Sequence, residues 1–536
     1  MPRELQEKGG RTRTAEIVVV GAGPVGLMTA NLLDLAGIEV IVLERNADLL
    51  GLPRAIAYDA ETLRLFAQVG LYGAIAPGLI QDPHVRHLNA RKATLMAADF
   101  PRGPFGHSSL GTFYQPDFER ALLGGLQRFA NVSVLFEHAV TGVEQRPDGV
   151  AVEVATPGGP TRIESRYVVA CDGGASGMRE RLGVKLVGST HAERWLVIDA
   201  IVKDHGVKAI TFNCDPKRPR VELPAVGDRV RWEFMQLPGE DESVLKSDAT
   251  IRALVAETSD VGSFEIERKA VYTFHARVAD RWRVGRAFLA GDAAHLMPPF
   301  AGQGMNSGMK DAANLSRKVA AVLKGQASED ILDSYEVERA PIVRKMVEVS
   351  RRLGAVIMPR SSVAAAARDT LFACLNLSSR FRAFIRRGGV VPPPLIARSA
   401  LTGRTRASVI QQMAPQPTVQ SGQQRLPLDE LLGPHQWLAL GLGVDPITLM
   451  SSRDLAALEA LGARFICVNG SASDPRTLSL ACDDPVFAAW ERRAGAAGIL
   501  VRPDRFIADR LDPANDLEVL TPFISVPSAA EPRLAA

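Results

Sequence analysis

The chain has 536 residues, enough for several domains at roughly 100–200 residues each. Hydrophobic residues make up 46% and charged residues 23%, a balance that excludes a wholly disordered chain and a small disulfide-stapled scaffold. With 63 basic and 60 acidic residues the net charge is +3, too even for the basic stripe that nucleic-acid or membrane binding needs, so neither partner is expected.

Residues 1–15 read as a flexible tail. Ile17 to Val20 is a short β-branched run, a buried strand. Val25 to Ala36 reads as a helix stopped by Gly37, and Val40 to Leu43 as a second strand, which together make a β–α–β unit. The apolar run Ile17 to Leu33 falls just short of a bilayer span and is broken by glycines, so no transmembrane segment is predicted. From about 53 to 130 helices are expected to dominate, with a break around Pro77–Pro104. Strands follow at Val132–Phe136, Val150–Val154 and Tyr167–Ala170. Residues 191–280, with turn signals such as Val226-Gly227-Asp228, read as a largely antiparallel sheet. Ala287 to Ala290 is another strand, followed by a long helical region to about 388 that Val391-Pro392-Pro393-Pro394 ends. Residues 401–425, rich in Ser, Gln, Thr and Pro, read as a linker. Beyond them Trp437–Leu440, Phe465–Val468 and Gly498–Val501 read as strands between helices.

Five cysteines, Cys171, Cys214, Cys374, Cys467 and Cys482, form no C-x-x-C pair. Their odd number and scatter predict reduced, structural thiols and a cytoplasmic protein. No metal site is predicted.

Three blocks carry chemistry. In the first, Gly21-Ala22-Gly23-Pro24-Val25-Gly26 lies between a strand and a helix, and the second strand ends in Glu44 beside Arg45, with Glu44 18 residues after Gly26. Gly21 permits the tight turn, Gly23 lets backbone approach a pyrophosphate, and Gly26 lets the helix pack on the strand. The helix N-terminus adds N–H groups and a positive dipole. Glu44 suits the hydroxyls of an unphosphorylated ribose, in NAD or in FAD; this block alone leaves both open.

The second block runs from Gly285 through Gly291, Asp292 and His295 to Pro298, Pro299, Gly302, Gly304, Met305 and Asn306. Here a buried strand delivers an acid into a Gly/Pro loop that enters a helix. Asp292 is placed to bond a ribityl chain, and the N–H groups of Gly304, Met305 and Asn306 to hold the electron-rich edge of a flavin. The third block, Val168 to Arg179 around Asp172-Gly173, is again strand, Asp-Gly turn and helix start.

These blocks, in this order, resemble the group A flavoprotein aromatic hydroxylases, single-component FAD monooxygenases. Arg54, in Leu52-Pro53-Arg54-Ala55, matches the family's arginine near flavin and nicotinamide. Gln115, in Gln115-Pro116-Asp117-Phe118-Glu119, matches a glutamine at the ribityl–phosphate region. The resemblance covers about 15 to 390. Within the family, Pro53-Arg54-Ala55-Ile56, Cys214-Asp215-Pro216-Lys217-Arg218-Pro219, Arg231-Trp232-Glu233-Phe234-Met235 and Pro298 to Asn306 are most similar to 3-(3-hydroxyphenyl)propionate hydroxylases and related phenol hydroxylases.

The fold implied is α/β. It has a Rossmann-like FAD-binding domain of the glutathione-reductase type (16–190 and 281–400), an inserted antiparallel substrate domain (191–280), and a thioredoxin-like domain without C-x-x-C (426–536). Val501-Arg502-Pro503-Asp504 resembles the closing strand of that last domain, but Arg505-Phe506 stands where many relatives have glycine and an aromatic. Such a domain packs or aids oligomerisation, so a homodimer is one assembly it would serve.

The activity implied is ortho-hydroxylation of a phenol with NAD(P)H and O₂ through a C4a-hydroperoxyflavin, in aromatic catabolism. FAD is then tightly and non-covalently bound, and NAD(P)H is a transient co-substrate, since there is one Rossmann fingerprint. The pocket candidates are Arg231, as partner of a substrate carboxylate, Trp232 and Phe234, which share strand parity, and Pro298. His295 is the candidate base, with a flavin-side or structural role as its alternative; Tyr272 and His275 are weaker candidates. A hydroxylase of a resorcinol, nitrocatechol or polyketide phenol, a flavin reductase or oxidase without oxygen insertion, an NAD-dependent dehydrogenase and a flavin-bound scaffold are the competing readings.

Overall fold

The computed structural model describes residues 12–100, 102–259, 261–403, 409–514 and 516–524. The β-branched runs read from the sequence form a parallel sheet. Its strands lie in the order Ala287–Leu289, Gly159–Ala170, Thr12–Val20, Val40–Leu43 and Val132–Leu135. Helices cover such a sheet on both faces, which is why the runs are uninterrupted by polar residues; Ile17, Val18 and Val19 are fully buried. An antiparallel hairpin, Ala139–Gln145 with Val150–Thr156, extends from Gly159–Ala170. The first strand begins at Thr12, paired with Arg162. Residues 12–15 are therefore strand and not tail; residues 1–11 lie outside the described residues.

A second, eight-stranded sheet stands on the first domain. Its order is His295–Leu296, Glu265–Ala279, Leu186–Ile201, Arg229–Met235, Arg220–Ala225, Ala209–Cys214, His84–Asn89 and Thr94–Ala98. It is antiparallel except where Ala209–Cys214 runs parallel to His84–Asn89. Two expectations are corrected here. The substrate sheet is not confined to 191–280, and the 53–130 region is not mainly helical. It contributes strands Ala57–Asp59, Leu79–Gln81, His84–Asn89, Thr94–Ala98 and Leu110–Phe113 besides helices Ala60–Gln68 and Gln115–Leu126. The physical reason is period-two burial: Val85 and His87 are buried while His84 and Arg86 are exposed.

The C-terminal domain has a five-stranded sheet, ordered Thr477–Leu480, Arg464–Val468, Leu438–Leu442, Gly498–Val501, Ile507–Leu511. Its first three strands are parallel to one another, and Gly498–Val501 runs antiparallel to both of its neighbours. The expected linker 401–425 is corrected too. Residues 404–408 lie outside the described residues, but Val409, Ile410, Met413 and Ala414 are buried, and Thr418–Ser421 pairs with Gln424–Pro427. Widely spaced apolar residues in a polar stretch show no periodicity, yet they cap the domain's core.

Buried ions join this domain to the first. Glu338 receives Arg502, Lys318 and Asn314. Arg64 forks onto Asp429 at 2.7 and 2.9 Å, and Arg505 approaches the same carboxylate at 3.3 Å. Arg505 sits at φ +66, a left-handed conformation that favours glycine. Its guanidinium also donates to the carbonyls of Gln436 and Gly433, so the departure from glycine and its strain accompany added ties within the C-terminal domain, around the carboxylate that receives Arg64.

Burial alone would raise the Asp429 carboxyl, but Arg64 and Arg505 outweigh it and hold it well below the usual range. A lowered folded value stabilises the protein above the unfolded value, near about pH 4, and that stability is lost as pH falls below it. The melting-temperature gap between wild type and Asp429→Asn should therefore be widest at neutral pH and close in acid. A gap independent of pH would contradict this.

Candidate functional site

The glycine block shows what each glycine is for. Gly21 has φ +103, and a Cβ on it would lie 2.6 Å from the Cys171 carbonyl oxygen. A Cβ on Gly26 would lie 2.0 Å from the Gly21 oxygen. Both are demanded by the protein's own packing. A Cβ on Gly23 would meet nothing within 4 Å. Gly23 is the N-cap of helix Pro24–Leu35, which has no side-chain cap, so the space beside it opens onto free N–H groups suited to phosphate. Glu44 accepts from Ala22 N at 2.9 Å and from Asn46, placing its carboxylate against the loop; Arg45 is exposed.

The second block closes on the same space. Gly291, at φ +59, leaves room for Val25, whose Cγ2 would lie 2.9 Å from a Cβ. Asp292 is exposed and lines the cavity. After Pro299–Ala301, Gly302 turns the chain through φ +62 into helix Gly304–Leu323, which also lacks a side-chain cap. The N–H groups of Gly304, Met305 and Asn306 have no acceptor within the helix. The Asn306 side chain faces inward, where it donates to Ala57 O and Gly302 O and accepts from Thr62.

In the third block the Asp172 carboxylate accepts from Ser176 and from Met178 N, holding the start of helix Gly177–Arg181. Cys171, Gly173 and Gly174 line the cavity and Asp172 does not. Gln115 accepts from Ala55 N at 2.6 Å and donates to Glu119 at 2.7 Å, so it positions the 53–55 loop. Arg54 is exposed toward the cavity.

All three blocks border one cavity of about 1050 Å³, which continues onto a face of the second sheet lined by Ile210, Phe212, Val221, Leu223, Arg231 and Glu233. Tyr272 and His275 also line it.

Five sequence candidates stand differently from expectation. Arg231 is buried, paired with Asp199 at 2.6 Å, and donates to the carbonyls of Arg54 and Pro53. Its guanidinium is consumed in holding that loop and is not free for a substrate carboxylate. Trp232 and Phe234 do share a face, but the opposite one, packed on Leu245, Ile251 and Val255, with Trp232 Nε1 donating to Glu222. Pro298 is buried off the cavity; Pro299 lines it. His295 is fully buried, stacked on Trp282 with centroids 5.4 Å apart and bonded to Asp311 at 2.7 Å, which Arg339 holds at 2.8 Å. That is a structural position out of reach of a cavity ligand.

The residues missed were His87, Phe212 and Glu233, and a half-buried Lys310 bonded to Asp59 at 2.7 Å with Glu61 at 3.4 Å. Burial, then Asp59, pushes the Glu61 carboxyl up to about 7. Strand parity in Arg229–Met235 was the available signal for Glu233. Trp232→Phe should leave the KM for an aromatic substrate within about twofold, whereas Phe212→Ala should raise it about tenfold, roughly 1.4 kcal/mol of lost contact. Steady-state kinetics on the pair checks which face the substrate meets.

The glycine cradle, with its space beside Gly23 and uncapped N–H groups at two helix starts, fits a dinucleotide carrying an anionic ring edge. A family model described as an FAD binding domain matches residues 14–350, and one described as the HcaD C-terminal domain matches 412–524. The chain is 35% identical over 527 residues, 96% of each chain, to the 3-(3-hydroxy-phenyl)propionate/3-hydroxycinnamic acid hydroxylase of Burkholderia cenocepacia (strain HI2424). It is 36% identical to the enzyme of that name in Klebsiella pneumoniae subsp. pneumoniae, over 92% of this chain and 91% of the other. Among solved structures it is similar to OxyS anhydrotetracycline hydroxylase from Streptomyces rimosus, with TM-score 0.73, 28% identity and 94% and 96% of the two chains covered. The fold is also that of the flavin-dependent monooxygenase PieE, with TM-score 0.78 at 20% identity over 96% and 99% of the chains.

Fold and cradle thus define an FAD-dependent aromatic monooxygenase. The chain belongs to the FAD-binding flavoprotein monooxygenases and is homologous to the 3-(3-hydroxyphenyl)propionate hydroxylases. Among the described residues, no helix is long and apolar enough to cross a membrane.

Proposed function

We propose that the protein adds one hydroxyl ortho to the hydroxyl of a single-ring phenol built on the frame of 3-(3-hydroxyphenyl)propionate, using NAD(P)H and O₂ in aromatic catabolism. The observation that carries this reading is the continuity of one cavity from the glycine cradle to the apolar sheet face. Bound FAD supplies the redox chemistry, accepting hydride from NAD(P)H and delivering one atom of O₂. The protein's residues bind and orient. Gly23 and the start of helix Pro24–Leu35 take the pyrophosphate, Glu44 the ribose, and Asp292 the ribityl chain. The N–H groups of Gly304, Met305 and Asn306 stabilise negative charge at the ring edge. Arg54, on a loop fixed by Arg231 and Gln115, faces the ring and the transient nicotinamide. Phe212, Val221 and Leu223 supply apolar walls that exclude water from the reacting centre. A cytoplasmic setting suits the five free cysteines and the supply of NAD(P)H. A homodimer is the assembly we expect.

The test is NAD(P)H oxidation by the purified flavoprotein across 3-(3-hydroxyphenyl)propionate, resorcinol, a nitrocatechol and a polyketide phenol, with product mass. Rapid oxidation with a product heavier by one oxygen atom is expected for a 3-substituted phenol. Oxidation yielding only peroxide would favour an oxidase, and no stimulation by any phenol would overturn the reading.

A further inference from the structure

Strand register places one row of side chains across the cavity face of the second sheet. Val197 pairs with Glu233, Glu233 with Val221, Val221 with Phe212, Phe212 with His87, and His87 with Met96. The row is apolar except at two places. Glu233 is 9% exposed, lines the cavity and has no hydrogen-bond partner among the described residues. His87 is 8% exposed, stacks on Phe212 with centroids 4.5 Å apart, and its Nε2 has no partner. Burial pushes the His87 pKa down to about 4, so the ring is neutral.

Charge around Glu233 is already even. Arg231 and Arg268 share one carboxylate, Asp199, at 2.6 and 3.2 Å. That leaves one positive charge in excess, and Glu233 supplies the one negative charge that offsets it. Burial raises the Glu233 carboxyl while Arg231 favours its charged form. Two further cations along the cavity are paired as well, half-buried Lys310 with Asp59 and buried Arg339 with Asp311. Arg54 is exposed to the same cavity, but the only cations that act on Glu233 are Arg231 and Arg268, so a ligand carboxylate set beside Glu233 would be a second negative charge in a low-dielectric space with no unpaired cation next to it. A hydroxyl there would meet a strong acceptor in Glu233.

We propose that Glu233 makes the site selective for phenols whose second polar group is an uncharged hydrogen-bond donor, a hydroxyl above all, and against phenols that carry a carboxylate at that place. The inference rests on the hydroxylase reading above and specifies the charge of its substrate: the ring and side-chain frame of the relatives' substrate is kept, and its anionic end is not.

The experiment compares 3-(3-hydroxyphenyl)propionate with the matched alcohol 3-(3-hydroxyphenyl)propan-1-ol on the FAD holoenzyme. Kd is read from perturbation of the flavin spectrum, and kcat/KM from NAD(P)H consumption with product mass. The alcohol should bind the wild type at least about tenfold more tightly than the carboxylate. The isosteric Glu233→Gln should cut that preference to about threefold or less, chiefly by improving the carboxylate. A carboxylate that binds the wild type as well as the alcohol overturns the inference. So does a preference unchanged by Glu233→Gln. In both cases a product heavier by one oxygen leaves the hydroxylase reading standing. If neither ring perturbs the flavin or speeds NAD(P)H oxidation, the hydroxylase reading for this ring class fails, and the inference with it.

Discussion

A Gly23→Val variant is expected to fold with wild-type stability and to purify without FAD. The backbone of Gly23, at φ −75 and ψ 178, is open to any residue, and its Cβ position meets no protein atom within 4 Å. The added methyls would fill the space where the pyrophosphate approaches the start of helix Pro24–Leu35. Affinity for FAD should fall at least about 100-fold, roughly 3 kcal/mol. Gly26→Val serves as the contrast, since its Cβ collides with the Gly21 carbonyl oxygen at 2.0 Å and should destabilise the fold itself. The ratio of flavin to protein absorbance, with the melting temperature of the apoprotein, separates the two. A yellow, stoichiometric Gly23→Val protein would refute the assignment of the cradle.

Replacing Arg231 with methionine should cost about 3–5 kcal/mol, the range for breaking a buried ion pair by removing one partner. Asp199 would keep only Arg268, which approaches it at 3.2 Å, and the Arg54 carbonyl would lose its donor. The 53–55 loop would loosen, and Arg54 with it, so kcat should fall as well as stability. Arg231→Lys should recover part of the stability but not the rate, because an ammonium cannot span a carboxylate and two carbonyls. Denaturant unfolding and NAD(P)H oxidation report the two effects. If stability were unchanged and only the KM for carboxylate substrates rose, Arg231 would be a substrate ligand after all.

The three cofactor blocks were legible because each is local. A strand, a glycine turn and a helix start lie within about ten to twenty residues, and their spacing carries the chemistry. Strands Val40–Leu43 and Gly498–Val501 were read to the residue, since buried β-branched runs bounded by polar residues have few alternatives. Asp172 and Asn306 were legible as members of their blocks, but not in what their side chains do. Both turn away from the cavity to tie backbone together, a choice made by neighbours such as Ser176 and Ala57. The strands at His84–Asn89 and Thr94–Ala98 were lost because they are short, lie in a proline-interrupted stretch, and join the sheet through His84–Asn89, whose partner Ala209–Cys214 comes more than a hundred residues later.

By itself the sequence determined the FAD-binding α/β unit and the kind of cofactor, both written in short contiguous patterns. Only the tertiary structure decided which side of the second sheet borders the cavity. Alternation in Arg231-Trp232-Glu233-Phe234 defines two faces but does not say which of them a helix will cover. Helix Asp248–Ala256 packs on Trp232 and Phe234 and makes theirs the core. That leaves the charged pair, Arg231 and Glu233, facing the cavity, one neutralised by Asp199 and the other turned toward whatever binds.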